Sequence, residues 1–152
     1  MIYQSYLETP IGILRILSNG KAIIEIKFVD TEGPEDPDIH TESAITQLKE
    51  YFDGTRNAFQ LELKPDGTEF EQQVWDELKN ISMGTTISYG NLAYKLGNKK
   101  MAQAVGSANR KNPIAIVIPC HRVIGSDNSL TGYAGGLQRK EWLLKHEGTL
   151  LL

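Results

Sequence analysis

The chain has 152 residues, of which 40% are hydrophobic and 23% are charged, and its formal net charge is −3. This length is enough for one domain or for two small lobes that share a core, and the composition is that of an ordinary globular protein. The pattern argues against a membrane-spanning segment, which needs about 20 apolar residues, and against a signal peptide. With only one cysteine, no internal disulfide and no cysteine pair for zinc are possible, and we predict a cytoplasmic protein with a reduced thiol.

The first part of the chain, residues 1–65, predicts a small lobe with a sheet and one helix. Two apolar runs, "ILRIL" and "AIIEIKFV", are separated by Asn19 and Gly20, which is a strong hairpin signal. Apolar side chains then recur at helical spacing over residues 44–52. The alternating stretch "FQLEL", residues 59–63, predicts one more strand before the turn at which we place the lobe boundary.

The rest of the chain, residues 66–152, predicts a helical lobe. Thr68 and Glu71 have the spacing of a capping box at the start of a first helix. Ser88 predicts the cap of a short second helix, and a third helix is expected from about residue 99 to residue 110. Two short helices joined by a tight glycine-containing turn are typical of a helix-turn-helix motif, although many helix pairs that do not bind DNA look alike.

Charge is divided unevenly between the two halves of the chain. Residues 1–70 carry 6 Lys and Arg against 13 Asp and Glu, whereas residues 71–152 carry 10 against 6. The third helix is flanked by basic residues, and its exposed side is expected to present small or neutral ones. The basic flanking residues are Lys99, Lys100, Arg110 and Lys111. The small or neutral residues on the exposed side are Gln103, Gly106 and Ser107. A local basic face favours a polyanionic partner, with chance segregation of charge as the alternative.

The single cysteine follows an apolar run, residues 114–118, that predicts a buried strand. A thiol reacts as the thiolate, so a nucleophilic Cys120 needs a base, and the adjacent His121 is the natural candidate. Glu147, near the end of the predicted last helix, could orient this imidazole as a carboxylate does in hydrolase triads. A lone cysteine is also compatible with a purely structural role, and these residues alone leave both readings open.

A glycine-rich loop and a final amphipathic helix complete the chain. The loop is "GSDNSLTGYAGG", and the helix is "LQRKEWLLKHEG". Trp75 and Trp142 lie on the apolar faces of predicted helices, so both are expected in the core.

Five motifs in order, "ISYG", "AVGSANRKNP", "IPCHRVIG", "TGYAGG" and "RKEWLLKHEG", resemble those of the O6-alkylguanine-DNA alkyltransferases (methylated-DNA–protein-cysteine methyltransferases). The resemblance covers about residues 66–149, and the N-terminal lobe matches only loosely. It implies an α/β (α+β) fold. A small N-terminal sheet-plus-helix lobe would support a C-terminal helical winged-helix/helix-turn-helix lobe that carries the active-site cysteine.

The resemblance also implies a role for each matching residue. Cys120 would accept the alkyl group, His121 would take the thiol proton through a water, and Glu147 would hold His121. Tyr89 would donate to the departing guanine and help to rotate the nucleotide out of the duplex. Asn112 would be the hinge between the recognition helix and the active-site strand.

A substrate pocket and a DNA-contact surface are implied in the same way. Backbone groups of Cys120 and Val123 would accept from the guanine amine, and the pocket wall would be formed by Tyr133, Ala134 and Gly135. Arg122 is expected to connect segments and not to react. The implied DNA contacts are Gln103, Ser107, Arg110, Lys99 and Lys100.

The implied function is irreversible, single-turnover transfer of an alkyl group from O6-alkylguanine in double-stranded DNA to Cys120, with O4-methylthymine as a further candidate substrate. No metal, no organic cofactor and no membrane is expected, and we predict a monomer. One alternative is a non-catalytic alkyltransferase-like protein that flips damaged guanine and recruits other factors, but such proteins lack the acceptor cysteine. Another is a Cys-His hydrolase, in which the helix-turn-helix would have no use.

One position departs from the family pattern. The family usually has an arginine in the recognition helix, in "ARAVG", that enters the base stack, whereas this chain has "AQAVG" with Gln103. Glutamine is shorter and uncharged, so the departure predicts slower or weaker base flipping and not a lost reaction. Some members have serine at the position of Ala134, a change expected to be mild if the backbone N–H makes the contact.

Overall fold

A computed structural model describes residues 1–149, which form a mixed α/β arrangement of two units. The first unit contains Met1–Asp66 together with Pro113–Ala115, and the second contains Gly67–Asn112 and the chain from Ile116 onward. The mixed α/β class predicted from the sequence is confirmed. In residues 1–149 no helix is long and apolar enough to cross a membrane.

The first unit is built on a three-stranded antiparallel sheet with strand order β1-β2-β3. Its elements are β1 (Tyr3–Thr9), β2 (Gly12–Ser18), β3 (Ile23–Val29) and α1 (Ile39–Phe52). The predicted hairpin joins β2 to β3: the Asn19 side chain accepts from two backbone N–H groups, and Gly20 has a φ of +88°. A glycine tolerates that left-handed conformation at no steric cost, which is why the turn forms there.

Helix α1 packs on this sheet through its buried face, as its apolar spacing predicts. The prediction of a strand at residues 59–63 is wrong. Within this stretch Leu63 alone pairs with a strand, in an isolated bridge to Ile23. The Gln47 side chain instead donates to Gln60 O at 3.0 Å and accepts from Gln60 N at 2.8 Å. A side-chain amide therefore satisfies backbone groups that a neighbouring strand would otherwise satisfy.

Up to residue 149, the second unit contains four α-helices and a two-stranded parallel pair. The helices are α2 (Glu69–Leu78), α3 (Tyr89–Lys95), α4 (Ala102–Arg110) and α5 (Leu137–His146), and the strands are β4 (Ile87–Ser88) and β5 (Val123–Ile124). The capping box of Thr68 and Glu71 is present, and Ser88 caps α3 as predicted. A 3₁₀ turn, Lys99–Met101, precedes α4 and shortens the third predicted helix.

Two tryptophans that the sequence assigns to the core have different surroundings. Trp75 is 1% exposed, and its indole N–H donates to Ala108 O at 2.9 Å, which joins α2 to α4. Trp142 is only half-buried and stacks on His146, with ring centroids 4.8 Å apart. The core assignment of Trp142 is therefore wrong, because its helix places it at the margin of the apolar face.

The strand predicted at residues 114–118 is also wrong. Ile114 makes one isolated bridge, to Ile26, and the chain then turns at Ile116, whose φ is +71°. A left-handed conformation costs a β-branched residue on the order of 1–3 kcal/mol. Ile114, Ile116 and Ile118 are all buried, so the apolar run indicated burial correctly and conformation incorrectly. This turn leads directly to the single cysteine.

Candidate active site

Cys120 opens a 3₁₀ turn, Cys120–Arg122, immediately after Pro119. The residue is 5% exposed, and two hydrogen bonds fix its backbone. Cys120 N donates to Ile118 O at 2.8 Å, and the buried Asn109 donates to Cys120 O at 3.2 Å. The position of the thiol is therefore set by the main chain and does not depend on side-chain packing alone.

Burial raises the pKa of the Cys120 thiol to about 11, although a hydrogen bond with the Asn112 side chain and the charge of Lys140 act in the opposite direction. The Asn112 amide also donates to Ile118 O at 2.7 Å. At neutral pH the sulfur therefore holds its proton, and a reaction at sulfur needs a base close by.

His121 has the geometry of that base. Its Nε2 lies 2.7 Å from a carboxylate oxygen of Glu147, and both side chains are fully buried. Because a carboxylate only accepts, Nε2 carries the proton, and Nδ1 has the free lone pair. This Nδ1 is buried without a hydrogen-bond partner among residues 1–149. Burial lowers the pKa of His121 despite the opposing effect of Glu147, so the imidazole is neutral at neutral pH.

Arg122 fixes Glu147 from the other side. Its guanidinium donates to both carboxylate oxygens, at 2.8 and 3.0 Å, and to Ile81 O at 2.6 Å. Burial alone would raise the pKa of Glu147, but the hydrogen bonds from His121 and Arg122 outweigh it and lower that pKa to about 2. The carboxylate that orients the imidazole therefore stays charged over the whole physiological range. This also explains an acidic residue at the C-terminal end of α5, where the helix dipole disfavours one.

The glycine-rich loop supplies the predicted pocket residues. Tyr133 is buried, and its ring meets His121 edge-on with centroids 6.4 Å apart. Its hydroxyl has no partner among the described residues, and burial raises its pKa well above 10. Ala134 is exposed, and Gly135 O accepts from Arg139. Tyr89, the first residue of α3, donates from its hydroxyl to Thr131 O at 3.1 Å.

The predicted DNA-contact residues lie on α4 or in the 3₁₀ turn before it: Lys99, Lys100, Gln103, Ser107 and Arg110. Four of them are exposed, and Ser107 is half-buried. Gly106, expected on the exposed side, is buried instead, because the ring of Tyr89 packs against it. A Cβ on Gly106 would lie 3.6 Å from that ring. The exposed face of α4 therefore consists of Gln103, Ala104 and Arg110.

Comparison with known proteins identifies the family. The model of the 6-O-methylguanine DNA methyltransferase DNA-binding domain matches residues 69–149, and the model of the ribonuclease-like domain of the same methyltransferase matches residues 2–65. The chain belongs to the 6-O-methylguanine DNA methyltransferase family. The resemblance seen in the sequence motifs is thereby confirmed, and it extends to the N-terminal lobe.

Individual members of this methyltransferase family agree over nearly the whole chain. A methylated-DNA–protein-cysteine methyltransferase of Methanosarcina acetivorans is 43% identical and covers 97% of this chain and 99% of its own. One from Shigella flexneri is 53% identical, and the match covers 99% of this chain and 82% of the relative. The crystal structure of Mycobacterium tuberculosis O6-methylguanine methyltransferase superposes with a TM-score of 0.87 at 40% identity, covering 97% and 93%. The crystal structure of Mycobacterium tuberculosis OGT in complex with DNA superposes with a TM-score of 0.85 at 41% identity, and the match covers 93% of this chain and 90% of the other.

Two buried polar residues that donate to the backbone carbonyls of Cys120 and Val123 were not singled out in the sequence. Lys140 is 0% exposed and lies on the same face of α5 as Leu143 and Leu144. Asn109 is 1% exposed and shares a face of α4 with Val105. A polar residue at helical spacing within an apolar face is the signal that could have found both.

Proposed function

We propose that this protein repairs DNA by transferring an alkyl group from O6 of guanine to the sulfur of Cys120. The arrangement that carries the proposal is a buried thiol followed directly by a neutral imidazole whose other nitrogen is held by Glu147. Buried groups with perturbed pKa values that also lie in mutual contact are typical of catalytic sites. A cysteine with a purely structural role would not need an oriented imidazole beside it.

The proposed reaction balances with the groups present. Cys120 gives its proton to Nδ1 of His121 through a water, as the family resemblance implies, and Glu147 stabilises the imidazolium that forms. The thiolate then attacks the alkyl carbon, the C–O6 bond breaks, and its electron pair stays on guanine. The departing guanine needs a proton, and the Tyr89 hydroxyl is the proposed donor. Metal and organic cofactors are not needed in this scheme because the thiol is both nucleophile and final acceptor.

The substrate would be a guanine rotated out of the duplex, which costs a few kcal/mol of unstacking and unpairing. The Val123 carbonyl, Tyr133 and the Ala134-Gly135 backbone are the proposed contacts in the pocket, and Asn112 is the proposed hinge. The basic residues at α4 would bind phosphates, which give affinity without sequence information. That suits a lesion that can occur anywhere in DNA.

The product is a thioether, which an imidazole and a carboxylate have no means to cleave, so one molecule would repair one lesion. All the proposed catalytic groups come from a single chain, which supports a monomer, and a lone reactive thiol suits the reducing cytoplasm. The non-catalytic alternative is not favoured, because the chain has the acceptor cysteine.

A repair assay tests this function. Place O6-methylguanine in a restriction site so that it blocks cleavage, and add increasing protein to the duplex. The amount of DNA made cleavable should equal the amount of protein and should then stop rising with time. Continued rise beyond one duplex per protein would indicate a turnover enzyme, and binding without any restored cleavage would indicate the non-catalytic alternative.

Gln103→Arg should accelerate repair of duplex DNA by about tenfold, because a guanidinium can stack in the vacated position and a gain of about 1.4 kcal/mol corresponds to tenfold in rate. Gln103 is exposed on α4, so an arginine there has room to enter the duplex. Transfer from free O6-benzylguanine, which needs no flipping, should change little. Single-turnover rates with the two substrates measure the difference.

Ala104→Arg is the matched control, because it adds the same charge at the neighbouring exposed position of the same helix. It should strengthen DNA binding without the selective gain in repair rate. Equal acceleration by the two variants would show that residue 103 has no special role in base flipping. Equal acceleration of both substrates by Gln103→Arg would show the same.

A further inference from the structure

Residues 133–136 of the glycine-rich loop form a four-residue turn beside the candidate site. Gly136 N donates to Tyr133 O at 3.0 Å and closes the turn, and Gly136 O accepts from Lys140 N at 3.1 Å, which attaches the turn to the start of α5. Tyr133, the first residue of the turn, is buried, and its ring meets that of His121 edge-on. The turn is therefore adjacent to the base of the proposed reaction.

The two central residues of this turn have free backbone donors. Among the residues that the structure describes, the N–H groups of Ala134 and Gly135 have no hydrogen-bond acceptor. Ala134 is exposed and Gly135 is half-buried, so both donors are open to a ligand. Consecutive N–H groups that a closed turn holds in place can bind an oxygen that carries negative charge.

Arg139 holds this turn from the first turn of α5. Its guanidinium donates to Gly135 O at 3.1 Å, so the side chain reaches back to the residue four positions before it. Its position is unfavourable for the helix itself, because the positive end of the helix dipole disfavours a cation there and favours an acidic residue, which this turn lacks. Helix stability therefore does not explain Arg139, whereas its bond to the turn does.

The charge of Arg139 reaches the pocket wall as well as the turn. Burial and the charge of Cys120 raise the pKa of Tyr133, and the charge of Arg139 lowers it. Arg139 is half-buried, where solvent and salt screen a charge less than at the surface. Its field therefore favours negative charge on a group that is bound against the turn.

We propose that Arg139 is a positioning residue for alkyl transfer: it fixes the turn so that the Ala134 and Gly135 N–H groups meet O6 of the guanine. The inference rests on the proposed function and names the residue that prepares the chain for the leaving group. As the alkyl carbon passes to the sulfur of Cys120, the electron pair of the C–O6 bond stays on the guanine, and negative charge grows on O6 until a proton arrives. Donors that already point at that oxygen stabilise the charge in the transition state.

The test compares two methyl donors that leave the same methylated Cys120. O6-methylguanine in duplex DNA loses a guanine, whereas methyl iodide loses iodide and has no O6 to be stabilised. The quantities to measure are the single-turnover rate at saturating DNA, the rate with methyl iodide and the dissociation constant of the duplex. Peptide mass spectrometry measures the methyl group on Cys120 in both reactions.

Four variants are compared with the native protein. Arg139→Met removes the charge and the donors, Arg139→Gln keeps an amide donor without charge, and Arg139→Lys keeps a charge and a donor. Lys145→Met is the matched control, because it removes an exposed positive charge from the same helix.

We expect both neutral variants of Arg139 to lower the rate with O6-methylguanine DNA by about tenfold, less than the roughly 10²- to 10³-fold loss that follows removal of an oxyanion donor itself. The loss is smaller because the N–H groups remain and only their positions relax. The rate with methyl iodide and the dissociation constant should not change. Arg139→Lys should recover part of the rate, since an ammonium can still donate to a carbonyl, and Lys145→Met should match the native protein.

Urea unfolding checks the fold of each variant, and Arg139→Gln carries the test if Arg139→Met does not fold. Equal loss of rate with both methyl donors would mean that Arg139 acts on the fold or on the thiol, and unchanged rates would mean that it has no role; either result would overturn the proposal. Weaker DNA binding with an unchanged rate at saturating DNA would overturn it too and would make Arg139 a phosphate contact. A native protein that is methylated by methyl iodide but not by DNA would contradict the proposed function, and that result is seen before any variant is made.

Discussion

Cys120→Ser is expected to abolish methyl transfer from O6-methylguanine DNA while leaving DNA binding unchanged. Serine has nearly the same shape, but its hydroxyl holds its proton far more strongly than a thiol does, and His121 is too weak a base to remove it. Loss of a catalytic nucleophile lowers a rate by about 10⁶-fold in well-studied hydrolases. Single-turnover transfer of labelled methyl groups measures the loss, and fluorescence anisotropy with the same duplex measures the binding.

The binding measurement serves as the control, because the proposed DNA contacts lie on α4 and in the turn before it and not on the turn that carries Cys120. Circular dichroism of the variant checks the fold. Transfer that persists in Cys120→Ser would mean that another residue accepts the methyl group. Equal loss of binding and transfer would make Cys120 a structural residue.

Glu147→Gln is expected to reduce both the transfer rate and the stability. The amide keeps the shape of the carboxylate and still accepts from His121, but it has no charge to stabilise the imidazolium. General acid–base catalysis contributes about 10²- to 10⁴-fold, so we expect a rate loss of that size. The buried guanidinium of Arg122 also loses its counter-charge, and breaking a buried ion pair on one side costs about 3–5 kcal/mol. Urea unfolding at pH 7 measures that cost.

A double variant separates the two effects. Glu147→Gln with Arg122→Met removes the unpaired charge and should recover much of the stability, since replacing a whole buried pair by apolar groups is often neutral. It should not recover the transfer rate. Glu141→Gln, at an exposed position of the same helix paired with Lys145, should change the free energy of unfolding by less than about 1 kcal/mol. Recovery of transfer in the double variant would show that Glu147 acts only through stability.

The same carboxylate predicts a pH dependence of stability. The pKa of Glu147 is about 2 in the folded protein and 4.5 as the ordinary value, so the group contributes stability above about pH 4.5. That contribution, on the order of 3 kcal/mol, is lost as the pH falls from about 4.5 towards 2. The free energy of unfolding should therefore fall less steeply over this range in Glu147→Gln than in the native protein. Parallel curves would contradict the lowered pKa.

Local sequence signals predicted those parts of the fold that local interactions determine. The Asn19-Gly20 hairpin and the capping box of Thr68 and Glu71 form because neighbouring backbone and side-chain groups satisfy each other, without help from distant segments. The run at residues 114–118 failed for the opposite reason. Its β-branched residues indicate burial, but the conformation depends on bonds with a distant segment of the chain, such as the Ala115 N–H that donates to Ile26 O at 2.9 Å.

The residues of the candidate site also differ in how far local sequence signals predict them. The sequence predicts Cys120, His121 and Glu147 as site residues because their residue types carry recognisable chemistry and the motifs around them are specific, and the structure brings His121 and Glu147 into contact. Lys140 was missed, since a lysine in an amphipathic helix is normally solvated, and only the structure shows that its ammonium reaches two backbone carbonyls. Gly106 was assigned to the wrong side of α4 because its contact, the ring of Tyr89, belongs to another helix.

Intact-protein mass spectrometry after reaction with O6-methylguanine DNA tests the central claim most directly. We expect a mass increase of one methyl group per protein, which reaches a limit at one even with excess DNA. Peptide mapping should place that methyl group on Cys120, and the Cys120→Ser variant should show no increase. An unmodified protein recovered from DNA in which guanine has been restored, or a methyl group on any other residue, would contradict the account.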